Sequence, residues 1–283
     1  METSVKKLED VASQVRRDII RMVSAVNSGH PGGSMSATDI MVALFFDVME
    51  PAVSDFTIKS PGSDVFYLSN GHISPALYSV LARRGYFDIK ELATFRHLGS
   101  RLQGHPTPVY GLPGVHIATG SLGQGISVAL GHALAKRVDG DAGKVFVVMG
   151  DGELQEGQVW EAAGFASARK IDNVIAVVDY NGQQIDGKTD EVSPLGDLRA
   201  KFEAFGWRVL EVAGHDMEQV VKTLAYAKNT ASGKGKPVMI LAKTVMGKGV
   251  DFMEDTNEYH GKAPSAEQAL VALSQLRETL GDY

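Results

Sequence analysis

The residues best suited to chemistry lie between positions 144 and 187. An apolar run, Val145-Phe146-Val147-Val148-Met149, has the make-up of a buried parallel strand and ends at Gly150-Asp151-Gly152. A second run, Val174-Ile175-Ala176-Val177-Val178, closes on Asp179-Tyr180-Asn181-Gly182. Between them an alanine-rich segment to about Lys170 reads as a helix. Such a strand–helix–strand unit sets Asp151 and Asn181 at one edge of a sheet, where open α/β folds bind ligands. An acid, an amide oxygen and free carbonyls meeting there can hold a hard divalent cation, and with it a phosphate.

Four histidines stand beside glycines in loop-like segments: Ser28-Gly29-His30-Pro31-Gly32, Ser69-Asn70-Gly71-His72, Gly104-His105-Pro106 and Tyr259-His260-Gly261. Histidine titrates near neutrality, and glycine lets main chain approach a ligand closely. Singly, each has the bland reading of a surface-loop histidine. Four at loops that can meet at one sheet edge point to a site. Their spacing matches no His-His-carboxylate pattern, which argues against zinc.

Gly120, Gly123 and Gly125 open a further helix and could cradle a phosphate, although glycines at a helix entry also serve tight packing. The dinucleotide fingerprint does not fit, because His116-Ile117-Ala118-Thr119 is a poor strand; a Gly-Lys-Ser/Thr phosphate loop is absent too. Glu153, Glu156 and Glu161 fall on the expected central helix. They read either as a solvated acidic face complementing the helix dipole or, with Ala162, Ala163, Gly164, Ala166 and Ala168 allowing close approach, as part of a subunit-contact helix.

Positioning these residues requires alternating strands and helices. Leu8, Val11, Val15, Ile19, Met22, Val23 and Val26 recur at three- and four-residue spacing, which predicts an amphipathic helix over residues 4–27. The Gly/Pro-rich segment 28–33 stops it, and a new helix is expected near Ser36, with Asp39 completing a capping box. Residues 64–68 read as a strand and 75–84 as a helix. Residues 96–120 read as a long loop, and a loop of that length in a compact domain is usually functional. Strands are also expected over 207–212 and 237–242, flanking a helix over 217–228. A last amphipathic helix should carry Leu270, Leu273, Leu276 and Leu280. The pattern predicts an α/β fold: a doubly wound, mainly parallel sheet with helices on both faces, residues 1–283 forming a single domain.

The 283-residue chain, 44% hydrophobic and 22% charged, has the composition of an ordinary soluble globular protein. A net charge of −6 argues against nucleic-acid or anionic-membrane partners. Without cysteine there is no disulfide, thiolate metal site or cysteine nucleophile, which fits a reducing cytoplasm. The amino terminus has no apolar signal core and no run reaches membrane-spanning length, so a cytoplasmic location is expected.

Gly150-Asp151-Gly152 followed by Asn181-Gly182-Gln183 resembles the thiamine diphosphate motif of thiamine-dependent enzymes. Together with the four histidine segments and Gly120-Ser121-Leu122-Gly123-Gln124-Gly125, it is similar to the amino-terminal portion of transketolases, over nearly the whole chain. The resemblance implies thiamine diphosphate as cofactor, with Mg²⁺ or Ca²⁺ held by Asp151, Asn181 and the carbonyl of Gln183. His72, Gly120, Leu122, Gly150, Gly152, Glu153 and His260 would join Asp151 and Asn181 in binding the cofactor. His30, His72, His105 and His260 would be catalytic and meet the substrate's hydroxyls and developing oxyanion. Glu156, also counted as catalytic, would sit with Glu161 at the subunit contact.

The implied activity is that of the pentose phosphate pathway: transfer of a two-carbon ketol unit from a ketose phosphate to an aldose phosphate. Transketolases carry two further domains, a pyrimidine-binding and a carboxy-terminal one, for which the chain has no counterpart. The expectation is therefore the amino-terminal subunit of a split transketolase, active only with a carboxy-terminal subunit, in an α2β2 heterotetramer. Two alternatives stay open. One is a subunit of another split thiamine enzyme, of the 2-oxoacid dehydrogenase or 1-deoxyxylulose 5-phosphate synthase type; the other is a non-catalytic cofactor-binding subunit. His30-Pro31 and Tyr259-His260-Gly261 favour transketolase.

Overall fold

The apolar runs become strands: β1 (Val65–Leu68), β2 (Val145–Gly150) and β3 (Val174–Tyr180), then a short ribbon of β4 (Gln183–Gln184) and β5 (Gly187–Lys188), then β6 (Arg208–Ala213) and β7 (Val238–Lys243). In this computed structural model, residues 2–49 and 61–283 are described. Five strands form a sheet in the order β1-β2-β3-β7-β6, every neighbouring pair parallel, while β4 and β5 pair antiparallel beside it.

Helices α1 (Glu2–Ala25), α2 (Pro31–Ser36), α3 (Thr38–Ala43), α4 (Ser74–Arg84), α5 (Gln124–Val138) and α6 (Gly157–Ala168) precede β4 or separate the first three strands. The remaining helices are α7 (Thr189–Val192), α8 (Leu198–Ala204), α9 (Met217–Tyr226) and α10 (Ala266–Gln275).

Alternation along the strands builds two apolar cores, one on each face. Phe146, Val148, Ile175, Val177, Val238 and Ile240 join the core that packs against α1, α3, α4 and α9. Val145, Val147, Met149, Val174, Ala176, Val178, Met239 and Leu241 join the core under α5, α6 and α8. Strands covered on both faces can be apolar throughout, which is why these runs lack a polar period. The expectation of a doubly wound α/β sheet is borne out.

The last turns of the chain close over α1. The Arg17 guanidinium donates to both oxygens of Asp282 (2.9 and 2.7 Å) and to the carbonyls of Leu273 and Leu276 (both 2.7 Å). Gln14 adds a bond to Asp282 at 2.9 Å, and Arg83 donates to the Gly281 carbonyl.

Four local expectations need correction. Pro31 starts a helix instead of delaying one, because its ring presets the first helical φ and an N–H there has no partner to lose. Ser36 therefore ends α2, and Asp39 makes no capping box: it accepts from Arg16 at 2.6 Å and lies 2.7 Å from His215 Nδ1. The central helix does not begin at Gly152: residues Gly152–Gln155 form a 3₁₀ turn, the chain extends at Glu156, and α6 begins at Gly157. Of the three glutamates only Glu161 is helical. Finally, α10 stops at Gln275, so Leu276 and Leu280 lie beyond it on the tail that α1 holds, Leu276 buried and Leu280 exposed.

Candidate active site

The carboxyl ends of β1, β2, β3 and β7 and the loops that leave them surround a cavity of about 340 Å³. His30, Asn70, His72, Gly120, Leu122, Gly150, Asp151, Gly152, Glu153, Glu156, Asn181, Gln183 and His260 line it. Each arrives by a traceable route. His72 sits on the 3₁₀ turn directly after β1. His30 caps α2, whose first turn is stitched to the loop after β7 by the Gly247 N–H on the Gly32 carbonyl (3.0 Å). A Cβ on Gly32 would meet Met246 at 2.8 Å and the Tyr259 carbonyl at 2.9 Å, so glycine permits that approach. The segment before His105 is held on α4 by Tyr78 and Ser74, which donate to the carbonyls of Gln103 and Gly104, each at 2.8 Å.

The four histidines do converge. Ring centroids of His30 and His72 are 5.1 Å apart, His72 and His260 5.1 Å, His30 and His260 5.9 Å, and His30 and His105 6.3 Å. Burial, followed by the charge of His260, lowers His72 to about 3 and His30 to about 4; burial also lowers His105 and His260. All four are neutral at pH 7, so each ring carries one N–H and one free lone pair. Nδ1 of His30, Nδ1 of His260 and Oδ1 of Asn70 are buried with no hydrogen-bond partner among the described residues.

Asp151 follows β2, 1% exposed; its oxygens accept the main-chain N–H groups of Gly152 (2.8 Å) and Gly182 (2.6 Å). Burial first, with the nearby charge of Asp179 adding, pushes its carboxyl up to about 7. Among the described residues no cationic side chain pairs with it. Asn181 follows β3: its Oδ1 accepts the Gln183 N–H at 3.0 Å and its Nδ2 donates to Asp179. The ribbon carrying Gln183 is pinned from the loop after β7, by Gln183 Nε2 on Asp255 Oδ1 (3.1 Å) and Asn257 Nδ2 on the Ile185 carbonyl (3.1 Å).

Glu153 has a different place from the one expected. It is 1% exposed, and its carboxylate accepts from Ser69 Oγ, the Gly123 N–H (2.8 Å) and the Gly150 N–H (3.2 Å). It ties the ends of β1 and β2 to the start of α5 and so shapes the cavity wall from behind. Gly120, at φ +150°, packs against the His105 ring, which a Cβ would meet at 2.9 Å. Glu156 and Glu161 are exposed. Ala162, Ala163 and Ala166, read as a possible contact surface, are instead buried in the core of this same chain. Gly164 and Ala168 remain on the outer side of α6.

The donor set suits a metal-bound diphosphate. Two adjacent buried carboxylates, Asp151 and Asp179, with no charged partner on Asp151 invite a cation, and an acid with amide and carbonyl oxygens is the set a hard divalent ion takes. The unpartnered ring nitrogens and the Asn70 oxygen offer contacts to a polar ligand. Sequence reasoning assigned no role to Asn70, Ser36, Asp179 or Thr244. Asp179 carried a signal, a charged residue closing a strand that is otherwise wholly apolar.

A family model described as "Transketolase, thiamine diphosphate binding domain" matches residues 8–281. A 6-deoxy-6-sulfo-D-fructose transketolase subunit of Clostridium sp. (strain MSTE9) is 39% identical over 271 residues, 96% of each chain. An apulose-4-phosphate transketolase subunit of Phocaeicola vulgatus is 37% identical over 276 residues, 98% of this chain and 96% of that one. Among solved structures, the transketolase from Leishmania mexicana superposes with a TM-score of 0.87 at 32% identity. That match covers 97% of this chain and 42% of the other, so the chain spans about two fifths of that transketolase.

Proposed function

The chain belongs to the transketolase family through its thiamine diphosphate-binding domain, and from that premise we propose that it is one subunit of a two-chain transketolase that transfers a two-carbon ketol unit from a ketose to an aldose. The observation that carries this reading is the meeting of three neutral histidines, His30, His72 and His260, with the Asp151–Asn181–Gln183 turn around one cavity, His105 standing behind His30. Two relatives of matching length are named as transketolase subunits, which supports a partner chain and disfavours the oxoacid dehydrogenase, deoxyxylulose phosphate synthase and non-catalytic alternatives.

In this reading Asp151, Asn181 and the Gln183 carbonyl hold Mg²⁺ against a diphosphate, and Gly152 and Gly120 give the cofactor close access to main chain. Bound thiamine diphosphate supplies the carbanion chemistry of ketol transfer. The chain's own part is positioning and proton handling. His30 and His260 would present Nδ1, free of protein partners, to substrate hydroxyls; His72 and His105 complete the ring of donors around the developing oxyanion. Burial keeps these rings uncharged, so each can donate or accept without first losing a proton.

The partner is a chain with a pyrimidine-binding domain, in an α2β2 assembly with the exposed Glu156 and Glu161 at a subunit contact. Two relatives are named for a ketose bearing a sulfonate or phosphate, which supports a ketose with an anionic end as substrate. The test is a coupled ketol-transfer assay with thiamine diphosphate and Mg²⁺. The purified chain alone should give no turnover, and adding its partner should restore it. Substantial turnover by the single chain overturns the proposal.

A further inference from the structure

Asp179 is the penultimate residue of β3 and is 1% exposed. Strand alternation puts it on the face of Ile175 and Val177, towards α1, α2 and α3. Oδ1 accepts from Thr244 Oγ1 at 2.5 Å; Oδ2 accepts from Ser36 Oγ at 2.5 Å and from Asn181 Nδ2 at 3.0 Å. The donors are themselves braced. Next to Thr244, the Val245 N–H donates to His215 Nε2 at 2.8 Å, and His215 Nδ1 lies 2.7 Å from Asp39, which is paired with Arg16 of α1.

In all three of these hydrogen bonds Asp179 is the acceptor. It therefore dictates which end of the Asn181 carboxamide faces it: the NH₂ must, and the oxygen is left on the side of the Gln183 main chain. An amide or hydroxyl at position 179 would impose no such choice. A buried carboxylate is also a costly way to fill that place unless a cation lies near. We propose that Asp179 is a positioning residue for divalent-cation binding, holding the Asn181 carboxamide with its oxygen turned to the cation. This rests on the reading of Asp151 and Asn181 as cation ligands.

The experiment titrates Mn²⁺, followed by electron paramagnetic resonance, into the assembled two-chain enzyme with and without thiamine diphosphate. Wild type, Asp179→Asn and Asp151→Ala are compared, their folding checked by thermal melts in EDTA. Loss of a group that orients a metal ligand weakens metal binding by about 10- to 100-fold. Asp179→Asn should raise the Mn²⁺ dissociation constant by that factor, and the KM for Mn²⁺ should rise more than kcat falls. If Asp151→Ala abolishes Mn²⁺ binding while Asp179→Asn binds as wild type, the positioning role is overturned. If Asp151→Ala also binds as wild type, it is the cation site that is wrong. Should Asp179→Asn not fold, Ser36→Ala decides, since it removes a donor to Oδ2 and a contact of the Asn181 NH₂; an unchanged dissociation constant then overturns the proposal.

Discussion

Asp151 and the histidines face opposite electrostatic problems in the same cavity. A carboxyl raised to about 7 prefers its neutral form in the folded chain, whereas the unfolded chain ionises it near 4. The stabilisation from burying the neutral acid is complete below about pH 4 and is lost as pH rises through 7. Metal-free protein should thus become less stable as pH rises from about 4 through 7. Asp151→Asn should flatten that decline, its gain over wild type growing from nothing below about pH 4 to roughly 2–4 kcal/mol at pH 8; urea unfolding in EDTA reads this directly. A steeper decline in the variant would remove Asp151 as its source. His72 and His30, lowered to about 3 and about 4, work the other way: their stabilisation is present above about pH 6.5 and lost as pH falls towards those values. His72→Gln should move the acid-unfolding midpoint, followed by circular dichroism, to lower pH. These roles were legible in part. The Gly150-Asp151-Gly152 and Asn181 signatures and the four His–Gly segments stood out in the sequence, because chemistry constrains residue type. Asp179, Ser36 and Thr244 did not, because what matters in them is a mutual bond across 143 and 65 residues, which no spacing rule records.

The strands and most helices were readable for a physical reason: a sheet covered on both faces needs uninterrupted apolar runs, and α1 needs a 3.6-residue stripe. What misled was local punctuation. Pro31 read as a stop and serves as a start, and the glutamates read as a helix face are divided between a 3₁₀ turn, an extended residue and α6. Ala162, Ala163 and Ala166 of α6 were right for close packing but face their own sheet. Glycines at element starts make a sharp test. At Gly125, in the first turn of α5, a Cβ would stand 2.6 Å from the main-chain Cα of Ser69, which cannot move without displacing the end of β1. Gly125→Ala should therefore lose about 1–3 kcal/mol of stability by overpacking. It should also shift the Glu153–Gly123 contact that shapes the cavity, so the variant should bind thiamine diphosphate more weakly in calorimetry. Wild-type stability in that variant would mean α5 has slack at its start.

For the molecule as a whole, the site is made of strand ends and the segments that follow them at one edge of a sheet, so ligand and fold are thermodynamically linked. Cofactor and Mg²⁺ at about a hundred times their dissociation constant should stabilise the assembled enzyme by roughly 2.7 kcal/mol. Asp151→Ala should lose most of the resulting rise in melting temperature, and an undiminished rise would place the metal elsewhere. The bonds between Arg17 and Asp282 link residues 265 apart in the chain. During synthesis, α1 leaves the ribosome some 265 residues ahead of the segment that covers its outer side. At about 5–20 residues per second that interval is roughly 13–50 s. For that time α1 waits without α10, against which it packs, and without the closing tail that Arg17 holds. The growing chain thus offers holding chaperones a defined apolar target, which disappears once residues 273–282 have emerged and docked.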